Sequence, residues 1–407
     1  MTHSFLPAPP DHVPEELMVD FDMFDIPSGV EDPAEIWREL NRRAVPRIFY
    51  TRHNGGHWVF MDYDDIVEAY RDWERFSTHY AVVPPIEPFP VMQPQGVDPP
   101  QHKVFRSLLA PLFTPVAIRD MTEELKRRTV MLVDKFADRG HCDFIAEFAA
   151  QLPTGTFLHL MGLPEERLPE FLKISDVFFR STDEAERQAN AMQVYGIINE
   201  LFTEKQANPA EDIATLLVQA RGEDGELLPW QDKLDCAFLL FVAGLDTVTN
   251  TMAYVWRYMA TTPQARATLR EKLDDPSELL LAVEELLRIN SVSNLFRRVK
   301  SDMDYKGVFL KENDRVIMPN TIANRDPAVF ENPETIDLDR KVNRHVTFGV
   351  GPHRCIGSHL AKREILVALD YWLRKIPEFE LASQMPEGNA FGGPVMGFKS
   401  LPLTWKV

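Results

Sequence analysis

Cysteine and long apolar segments are both scarce in this chain. Only three of the 407 residues are cysteines, at positions 142, 236 and 355, which is too few and too scattered for a disulfide framework. The longest apolar run covers residues 236–245 and is too short to cross a bilayer. The N-terminal residues have neither the basic start nor the hydrophobic core of a signal peptide. We therefore expect a cytoplasmic protein without a membrane span.

Basic residues are also fewer than acidic ones. The chain has 44 lysines and arginines against 62 aspartates and glutamates, a net charge of −18, so it lacks the basic surface that nucleic acid binding requires. Hydrophobic residues still make up 44% of the chain, enough for a large core. The basic residues that are present crowd around the last cysteine, where they form either a solvated face or a docking patch for an acidic partner. These residues are Arg340, Lys341, Arg344, His345, His353, Arg354, Lys362 and Arg363.

The order of the patterns predicts a mainly α-helical fold with a small β-rich region near the N-terminus. Residues 1–20 are proline-rich and indicate an irregular arm, a helix follows at 32–43, and alternation on both sides of Asn54-Gly55-Gly56 predicts a hairpin. A long proline-rich loop is expected over 79–97. The region that follows is almost entirely helical to about residue 290, with short strands after it. No linker rich in Gly or Ser interrupts this order, so we expect one domain over residues 1–407.

The stretch FGVGPHRCIG, residues 348–357, places Cys355 in a glycine-rich loop directly before an amphipathic helix. Free backbone N–H groups at the start of that helix favour a thiolate with a lowered pKa, and the glycines let the loop bend tightly. The residues alone leave four interpretations open. Cys355 is a buried structural cysteine, a zinc ligand with His345, His353 or His359, a nucleophile with His359 as its base, or the axial thiolate of a heme.

Six specified positions of this stretch add a resemblance. The pattern Phe348-Gly349-x-Gly351-x-His353-x-Cys355-x-Gly357 resembles the heme-binding signature of the cytochrome P-450 monooxygenases. The resemblance implies the single large helical fold of that family, heme b (iron protoporphyrin IX) as cofactor and Cys355 as the ligand of its iron. The loop residues implied to contact the cofactor are Phe348, Gly349, His353, Cys355 and Gly357.

Basic residues elsewhere match the family's contacts to the two heme propionates. The stretch DPPQHKVFR predicts a helix with His102 and Arg106 four residues apart on one face, and it resembles the family's propionate-binding helix. Arg297 and His353 match two further propionate contacts. Because the propionates are anionic, we expect four cations here.

The stretch EELLR resembles the family's buried Glu-x-x-Arg pair. It places Glu285 and Arg288 three residues apart on a helix, and the resemblance adds Arg340 as a third partner. A buried ion pair requires that its donors and acceptors are satisfied. We therefore expect these three residues to have a structural role; an ordinary surface ion pair is the alternative.

A long helix is predicted over about residues 231–260, with Ala243-Gly244-Leu245-Asp246-Thr247 at its middle. Glycine weakens a helix at this position, and a threonine hydroxyl can bond back to a carbonyl. Taken alone, the stretch is better explained by a core helix that tolerates small residues. The resemblance implies that Ala243 and Gly244 make room beside the heme for O2, that Thr247 steadies the oxygen, and that Asp246 relays protons.

The resemblance covers nearly the whole chain and points to the camphor hydroxylase branch, which implies an apolar pocket and a small lipophilic substrate. The tyrosine that binds the camphor carbonyl has no counterpart, because Pro90 falls near that position. We therefore expect a monoterpenoid or norisoprenoid other than camphor. The pair Leu295-Phe296 also departs from the small, polar pair of that branch. The pocket residues implied are Phe89, Leu239, Val242, Ala243, Ser293, Leu295, Val395 and Met396.

No flavin or nicotinamide fingerprint occurs, so electrons must come from another protein. The resemblance implies an acidic iron–sulfur ferredoxin with its reductase, and we expect the chain to be a monomer. The docking residues expected for the ferredoxin are Arg344, Arg354, Lys362 and Arg363, with Lys103 nearby. The alternatives are a heme-thiolate sensor and a peroxide-driven relative, which the Asp246-Thr247 pair disfavours, and a heme-free cysteine hydrolase.

Overall fold

Helices make up most of the regular structure. The computed structural model describes residues 6, 8–43, 45–85, 91–181, 183–382 and 385–407. Within these residues lie fourteen α-helices, which are α1 (Glu35–Arg42), α2 (Tyr63–Arg71), α3 (His102–Leu109), α4 (Pro115–Asp120), α5 (Thr122–Val133), α6 (Gln151–Met161), α7 (Leu168–Arg180), α8 (Glu184–Ala207), α9 (Ile213–Val218), α10 (Trp230–Thr261), α11 (Pro263–Glu271), α12 (Pro276–Ile289), α13 (Asn320–Ala323) and α14 (Ser358–Lys375).

Twelve short strands complete the described part of the chain. They are β1 (Ile48–Thr51), β2 (His57–Phe60), β3 (Phe76–Ser77), β4 (His141–Asp143), β5 (Asn294–Val299), β6 (Met303–Tyr305), β7 (Val308–Leu310), β8 (Arg315–Pro319), β9 (Glu380–Leu381), β10 (Ala390–Phe391), β11 (Gly397–Phe398) and β12 (Pro402–Thr404). The predicted predominance of helix is confirmed. The stretch 98–290 is helical as expected, apart from β4, which pairs with β12 near the C-terminus.

The largest sheet joins strands that are far apart in the sequence. Its order is β1-β2-β8-β5-β3, so two strands from residues 294–319 lie between N-terminal ones. The predicted hairpin is confirmed as the antiparallel pair β1–β2, and Asn54 takes the left-handed conformation in its turn (φ 57°). The predicted β-region near the N-terminus is therefore correct but incomplete, because sequence order does not show which distant strands add to a sheet edge. The N-terminal arm is attached to it by the Val19 N–H, which donates to the Tyr50 carbonyl at 2.9 Å.

Helix α10 crosses the middle of the molecule and packs against α6, α7, α8 and α9. Its 32 residues correspond to a length of about 48 Å at 1.5 Å per residue. By length and composition it is the single described helix apolar enough to cross a membrane, but 72% of its most apolar window is buried inside the protein. A buried core helix passes the same test, so this helix is weak evidence for a membrane span.

An aromatic cluster holds α10 and α14 together beneath the site described below. Phe144 stacks on Trp256 of α10 with ring centroids 4.7 Å apart, and it meets Trp372 of α14 edge to face at 5.3 Å. Trp372 also contacts Phe136 and Phe379, and it is fully buried. Aromatic pairs add to the free energy of burial through their edge and face electrostatics. The cluster therefore fixes the spacing of the two helices.

Removing the Trp372 ring tests this role. We expect Trp372→Ala to lower the free energy of unfolding by about 3–5 kcal/mol, because a cavity replaces a large buried side chain. Denaturant unfolding measures the change. Val342→Ala is the control, because Val342 is 68% exposed and its truncation should change stability by less than about 0.5 kcal/mol. Equal effects of the two variants would contradict a stabilising role for the cluster.

Candidate functional site

A cavity of about 2180 Å³ lies between α10, α14, α3 and α6 and extends toward α8. Most of the site residues expected from the sequence meet on its walls. Those that line it are His102, Arg106, Leu239, Val242, Ala243, Gly244, Asp246, Thr247, Ser293, Leu295, Arg297, Phe348, Gly349, His353, Cys355, Gly357 and Val395. Two expected pocket residues are not among them: Phe89 lies outside the described residues, and Met396 is buried in the core.

The prediction for Met396 is wrong. Val395 lines the cavity and pairs with Ser293 in an antiparallel bridge, and successive side chains of an extended segment point to opposite sides. Met396 therefore points away from the cavity. It is fully buried in the cluster that includes Phe49 and Ile317.

The cysteine loop is shaped by backbone bonds and by contact with α2. The Cys355 N–H donates to the Phe348 carbonyl at 2.8 Å, and the Gly349 N–H donates to the Val346 carbonyl at 2.7 Å. At Gly351 the backbone has φ 77°, and an added Cβ would lie 2.8 Å from the carbonyl oxygen of Tyr70. Glycine is therefore required there for conformation and for contact. The loop rests on the backbone of α2, and its free side faces the cavity.

The Cys355 thiol opens into the cavity three residues before the first residue of α14. Burial raises the pKa of this thiol, whereas the Gly357 N–H and the charges of Arg106 and Arg354 lower it. The contributions that the sequence predicts, from the helix start and from nearby cations, are therefore present, and burial acts against them.

Two of the interpretations left open by the sequence lack support from the geometry. No cluster of three or more His, Cys, Asp and Glu side chains in the described ranges is arranged to hold a metal ion, which disfavours a zinc site at Cys355. No hydrogen bond joins His359 to Cys355 in the part of the chain that the structure describes, so the base of a cysteine nucleophile is also missing.

Four basic side chains meet at one side of the cavity. They are His102, Arg106, Arg297 and His353. The rings of His102 and His353 lie 4.3 Å apart, and neither ring nitrogen of His353 has a hydrogen-bond partner among the described residues. Buried polar atoms are rarely left unpaired. This corner of the cavity therefore has the chemistry of a site for an anion.

The two histidines of this corner are not cations, contrary to expectation. Burial, with a smaller contribution from the charge of Arg297, lowers the pKa of His353 to about 3. Burial and the charge of Arg106 lower the pKa of His102 to about 4. Burial also lowers the pKa of Arg297, but only to about 10. At neutral pH the corner presents two guanidinium charges and two neutral imidazoles that can still donate hydrogen bonds.

Sequence reasoning missed Tyr70, which supports Arg297. The guanidinium carbon of Arg297 lies 5.3 Å from the centre of the Tyr70 ring, a cation–π geometry. The Tyr70 hydroxyl donates to Oδ1 of Asn320 at 2.5 Å, which fixes the ring. The same residue therefore supports the cysteine loop through its backbone and the basic corner through its ring. Nothing in the sequence pattern around residue 70 indicates that Tyr70 has either of these two roles.

The middle of α10 forms the wall opposite the cysteine loop. The Thr247 hydroxyl donates to the Ala243 carbonyl at 2.9 Å, as expected for a threonine that bonds back along its helix. An added Cβ at Gly244 would meet nothing within 4 Å, so the glycine leaves space on the cavity side. Ala243 is also open to the cavity. The small side chains of Ala243 and Gly244 therefore leave room on the cavity side of the helix.

Asp246 has a partner that the sequence did not reveal. Its Oδ1 accepts a hydrogen bond from Nη2 of Arg180 at the end of α7. The same guanidinium lies 4.3 Å from the centre of the Phe391 ring on β10. The Asp246 carbonyl also accepts from Nδ2 of Asn250 at 2.8 Å. Because 66 residues separate Arg180 from Asp246, no local pattern points to their contact.

Glu285, Arg288 and Arg340 come together away from the cavity, in a buried network. Arg288 donates to both oxygens of Glu285 at 2.8 Å, and Nε of Arg340 donates to Oε2 at 3.0 Å. The Asp337 N–H and the Asn343 side chain complete the shell at 3.0 Å. Glu285 and Arg288 are fully buried, so the alternative of a surface ion pair is wrong.

The basic patch around Cys355 is partly neutralised by an acid in the chain. Nζ of Lys362 lies 2.8 Å from Oε1 of Glu284, and His345 binds the other oxygen at 2.9 Å. Burial alone would raise the pKa of Glu284, but these two hydrogen bonds lower it to about 2. Lys103, Arg344 and Arg354 are exposed, and Arg363 is half-buried. The exposed positive charge is therefore smaller than the sequence suggests.

Glu364 on α14 is a cavity residue that sequence reasoning missed. It is 2% exposed, and its Oε1 has no partner among the described residues. Burial raises the pKa of Glu364 to about 8, against a hydrogen bond with Thr156 that lowers it. The side chain is therefore mostly protonated at neutral pH. The amphipathic pattern of the helix did not distinguish this glutamate from solvent-exposed ones.

Comparisons with known proteins agree with the cysteine loop. A family model described as Cytochrome P450 matches residues 157–407. The probable cytochrome P450 127A1 of Sinorhizobium fredii is 36% identical over 411 residues, which covers 97% of this chain and 96% of that protein. The crystal structures of CYP101J2 and CYP101C1 superpose with a TM-score of 0.87 each, at 32% and 30% identity, and cover 98% of this chain and 100% of theirs. The expected fold and the likeness to the camphor hydroxylase branch are confirmed.

The pKa of Glu364 predicts a pH dependence of stability. Because the folded-state pKa of about 8 exceeds the unfolded value of about 4.3, the folded state binds more protons between these values. The stability that this group contributes is complete below pH 4 and is lost as the pH rises through 8. We expect Glu364→Gln, measured by thermal unfolding from pH 5 to 9, to become increasingly more stable than the wild type toward pH 9.

The exposed Glu223 provides the control. Glu223→Gln should follow the wild-type pH curve throughout. A constant difference between Glu364→Gln and the wild type at all pH values would show that Glu364 does not titrate in this range.

Proposed function

The chain belongs to the cytochrome P450 family, and we propose that it hydroxylates a small lipophilic substrate, a monoterpenoid or norisoprenoid, with O2 and two electrons from a ferredoxin. The family establishes the enzyme class, a monooxygenase, and the cofactor, heme b held by a cysteine thiolate. The observation that carries the proposal is the position of Cys355, which opens into an apolar cavity opposite Ala243 and Thr247.

The described residues fit heme b in both its chemistry and its charge. Cys355 would supply the thiolate that binds the heme iron, and Phe348 and Gly349 line the cavity beside it. Arg106 and Arg297, with the neutral imidazoles of His102 and His353, would receive the two propionates. The protonated one of the two unpartnered ring nitrogens of His353 would donate a hydrogen bond to such a carboxylate. When bound, the heme supplies the activation of O2 for insertion into a C–H bond.

Thr247 and Asp246 are the groups that would manage protons at the oxygen side. Because the Thr247 hydroxyl donates a hydrogen bond to the Ala243 carbonyl, its lone pairs stay free to accept a hydrogen bond from a group in the cavity. Asp246 forms an ion pair with Arg180. This ion pair must break before the carboxylate can relay a proton. This acid–alcohol pair favours a monooxygenase over a heme-thiolate sensor or a peroxide-driven relative.

The walls of the cavity near Cys355 select for apolar substrates. Leu239, Val242, Leu295 and Val395 face the space next to Ala243, and apolar walls with few polar groups suit lipophilic ligands. The protein's part in the reaction is to hold the substrate C–H bond near the cofactor and to exclude bulk water. The lipophilic walls and the likeness to the camphor hydroxylase branch support a terpenoid substrate.

The electron donor is proposed to be an acidic ferredoxin that docks on the face behind Cys355. The exposed charges of Arg344, Arg354 and Lys103, with Arg363, would steer an acidic partner in a salt-sensitive manner. Lys362 contributes less, because it is bound to Glu284. We further propose that the chain forms one domain and acts as a cytoplasmic monomer.

The thiolate ligand is tested by the carbon monoxide difference spectrum of the dithionite-reduced protein. The wild type should give the strongly red-shifted Soret band of a thiolate–heme, and Cys355→Ala should lose it, because no other cysteine among the described residues lines the cavity. Cys142→Ala is the matched control and should keep the band, since Cys142 is buried in the core. Retention of the band in Cys355→Ala would remove the proposal.

The role of Thr247 is tested by the fate of the reducing equivalents. Thr247→Ala should keep heme and substrate binding but release most of the electrons as hydrogen peroxide or water, with product formation reduced about tenfold or more. Thr261→Val removes the same kind of bond back to a helix carbonyl at the exposed end of α10, and it should leave coupling unchanged. Normal coupling in Thr247→Ala would show that its hydroxyl does not manage protons.

A further inference from the structure

The cavity does not end at the residues expected to hold the substrate. On α10 its wall continues in steps of four residues from Thr247 through Ala243 and Leu239 to Asp235 and Gln231. At 1.5 Å per residue, Asp235 lies about 12 Å from Ala243 along the helix axis. The far end of the cavity is thus separated from the oxygen side by an apolar stretch, and it carries an acid.

Asp235 is a buried carboxylate with an incomplete set of partners. It is 7% exposed. Its Oδ1 accepts from the Tyr195 hydroxyl and from Nε2 of Gln231, both at 2.8 Å. Its Oδ2 makes no hydrogen bond to a described residue and is not fully enclosed by neighbouring atoms. No cationic side chain in the described ranges pairs with it.

The surroundings hold this carboxylate in place. The Tyr195 ring stacks on Phe238 with centroids 4.5 Å apart and planes inclined by 14°. Burial and the charge of Asp235 raise the pKa of Tyr195, so the phenol stays protonated and donates a hydrogen bond to Asp235. The carboxylate is therefore oriented by two donors on one oxygen, and the other oxygen stays available.

A purely structural role for Asp235 explains the bonds to Oδ1 but not the open position of Oδ2. The Tyr195–Asp235 bond ties α8 to α10, and one carboxylate oxygen is enough for that purpose. A buried charge without a counter-ion costs free energy unless it gains strong hydrogen bonds. The cavity wall here is formed by Leu234, Phe238 and Leu239 together with Tyr195 and Gln231. Because those two polar side chains both bind Oδ1, Oδ2 is the available acceptor for a ligand.

We propose that Asp235 recognises the hydrogen-bond-donating end, a hydroxyl or an ammonium group, of an elongated lipophilic substrate. The apolar body of this molecule lies along Leu239, and the carbon to be oxidised lies beside Ala243 and Gly244. The 12 Å between these points corresponds to roughly ten bonds of an extended chain. This inference rests on the proposed monooxygenase function. It extends the substrate class beyond the small monoterpenoids and norisoprenoids to longer terpenoids with a polar end remote from the oxidised carbon.

Asp235→Asn is the sharpest test, because the amide oxygen can keep both Tyr195 and Gln231 while the amide nitrogen replaces Oδ2 with a donor. The probes are farnesol and farnesyl methyl ether, which cannot donate, and binding to the holoprotein is measured by calorimetry. In the wild type farnesol should bind more tightly than the ether. In Asp235→Asn the ratio of the farnesol affinity to the ether affinity should fall by about tenfold or more, toward equal binding, because the amide nitrogen can donate to the oxygen of either probe.

Controls separate recognition from stability. Asp232→Asn removes a neighbouring carboxylate that does not line the cavity, and it should leave the preference for farnesol intact. Tyr195→Phe breaks the tie to α8 but keeps the acceptor, so the preference should persist. Equal losses for both probes in Asp235→Asn, or a lower melting temperature with no change in preference, would overturn the proposal.

A third probe distinguishes the two donor groups. Tighter binding of farnesylamine than of farnesol to the wild type, lost in Asp235→Asn, would identify an ammonium group, and the reverse order would identify a hydroxyl. Equal binding of all three probes would contradict recognition at Asp235. Because calorimetry needs no turnover, failure of this inference is distinct from failure of the proposed function, which would appear as a missing thiolate band.

Discussion

The contact between Gly351 and the backbone of Tyr70 is the constraint on which the site depends. A side chain at position 351 would strike the Tyr70 carbonyl, so only glycine lets the cysteine loop settle on α2. The loop then directs the Cys355 thiol into the cavity, and the Tyr70 ring carries Arg297 beside it. One residue of α2 thus positions the thiol and one of the two guanidinium groups. The buried Glu285 network secures the chain on the other side of this loop through Arg340 and Asn343.

Helix α10 forms the opposite wall of the cavity. The size and polarity of its cavity-facing side chains change along the helix. At Ala243 and Gly244 small side chains leave room, at Thr247 a hydroxyl faces that room, and at Leu239 the wall is apolar. Two turns before Ala243 it becomes polar again at Asp235. The aromatic cluster of Trp256 and Trp372 holds this helix against α14, so the gap between the two walls is a property of the core.

Burial modifies the charges that the sequence suggests. His102 and His353 look like cations in the sequence, but desolvation among arginines keeps both neutral. Glu364 looks like a surface acid of an amphipathic helix, but its burial keeps it protonated near neutral pH. In the docking patch Lys362 is paired with Glu284. In each case the residue type could be read from the sequence, while its charge depends on neighbours that are distant in the chain.

The sequence by itself determined the helical class, the hairpin at Asn54, the long central helix and the residues of the cysteine loop, because each depends on local periodicity, turn chemistry or a short motif. Only the tertiary structure decided which distant segments meet: Arg180 at Asp246, Tyr70 at Arg297, and two distant strands in the main sheet. It also decided the pairing of the extended segment at Val395, which points Met396 away from the cavity. The physical reason is that backbone hydrogen bonds and helix faces act over a few residues. Contacts across the core arise from packing that brings together segments dozens to hundreds of residues apart.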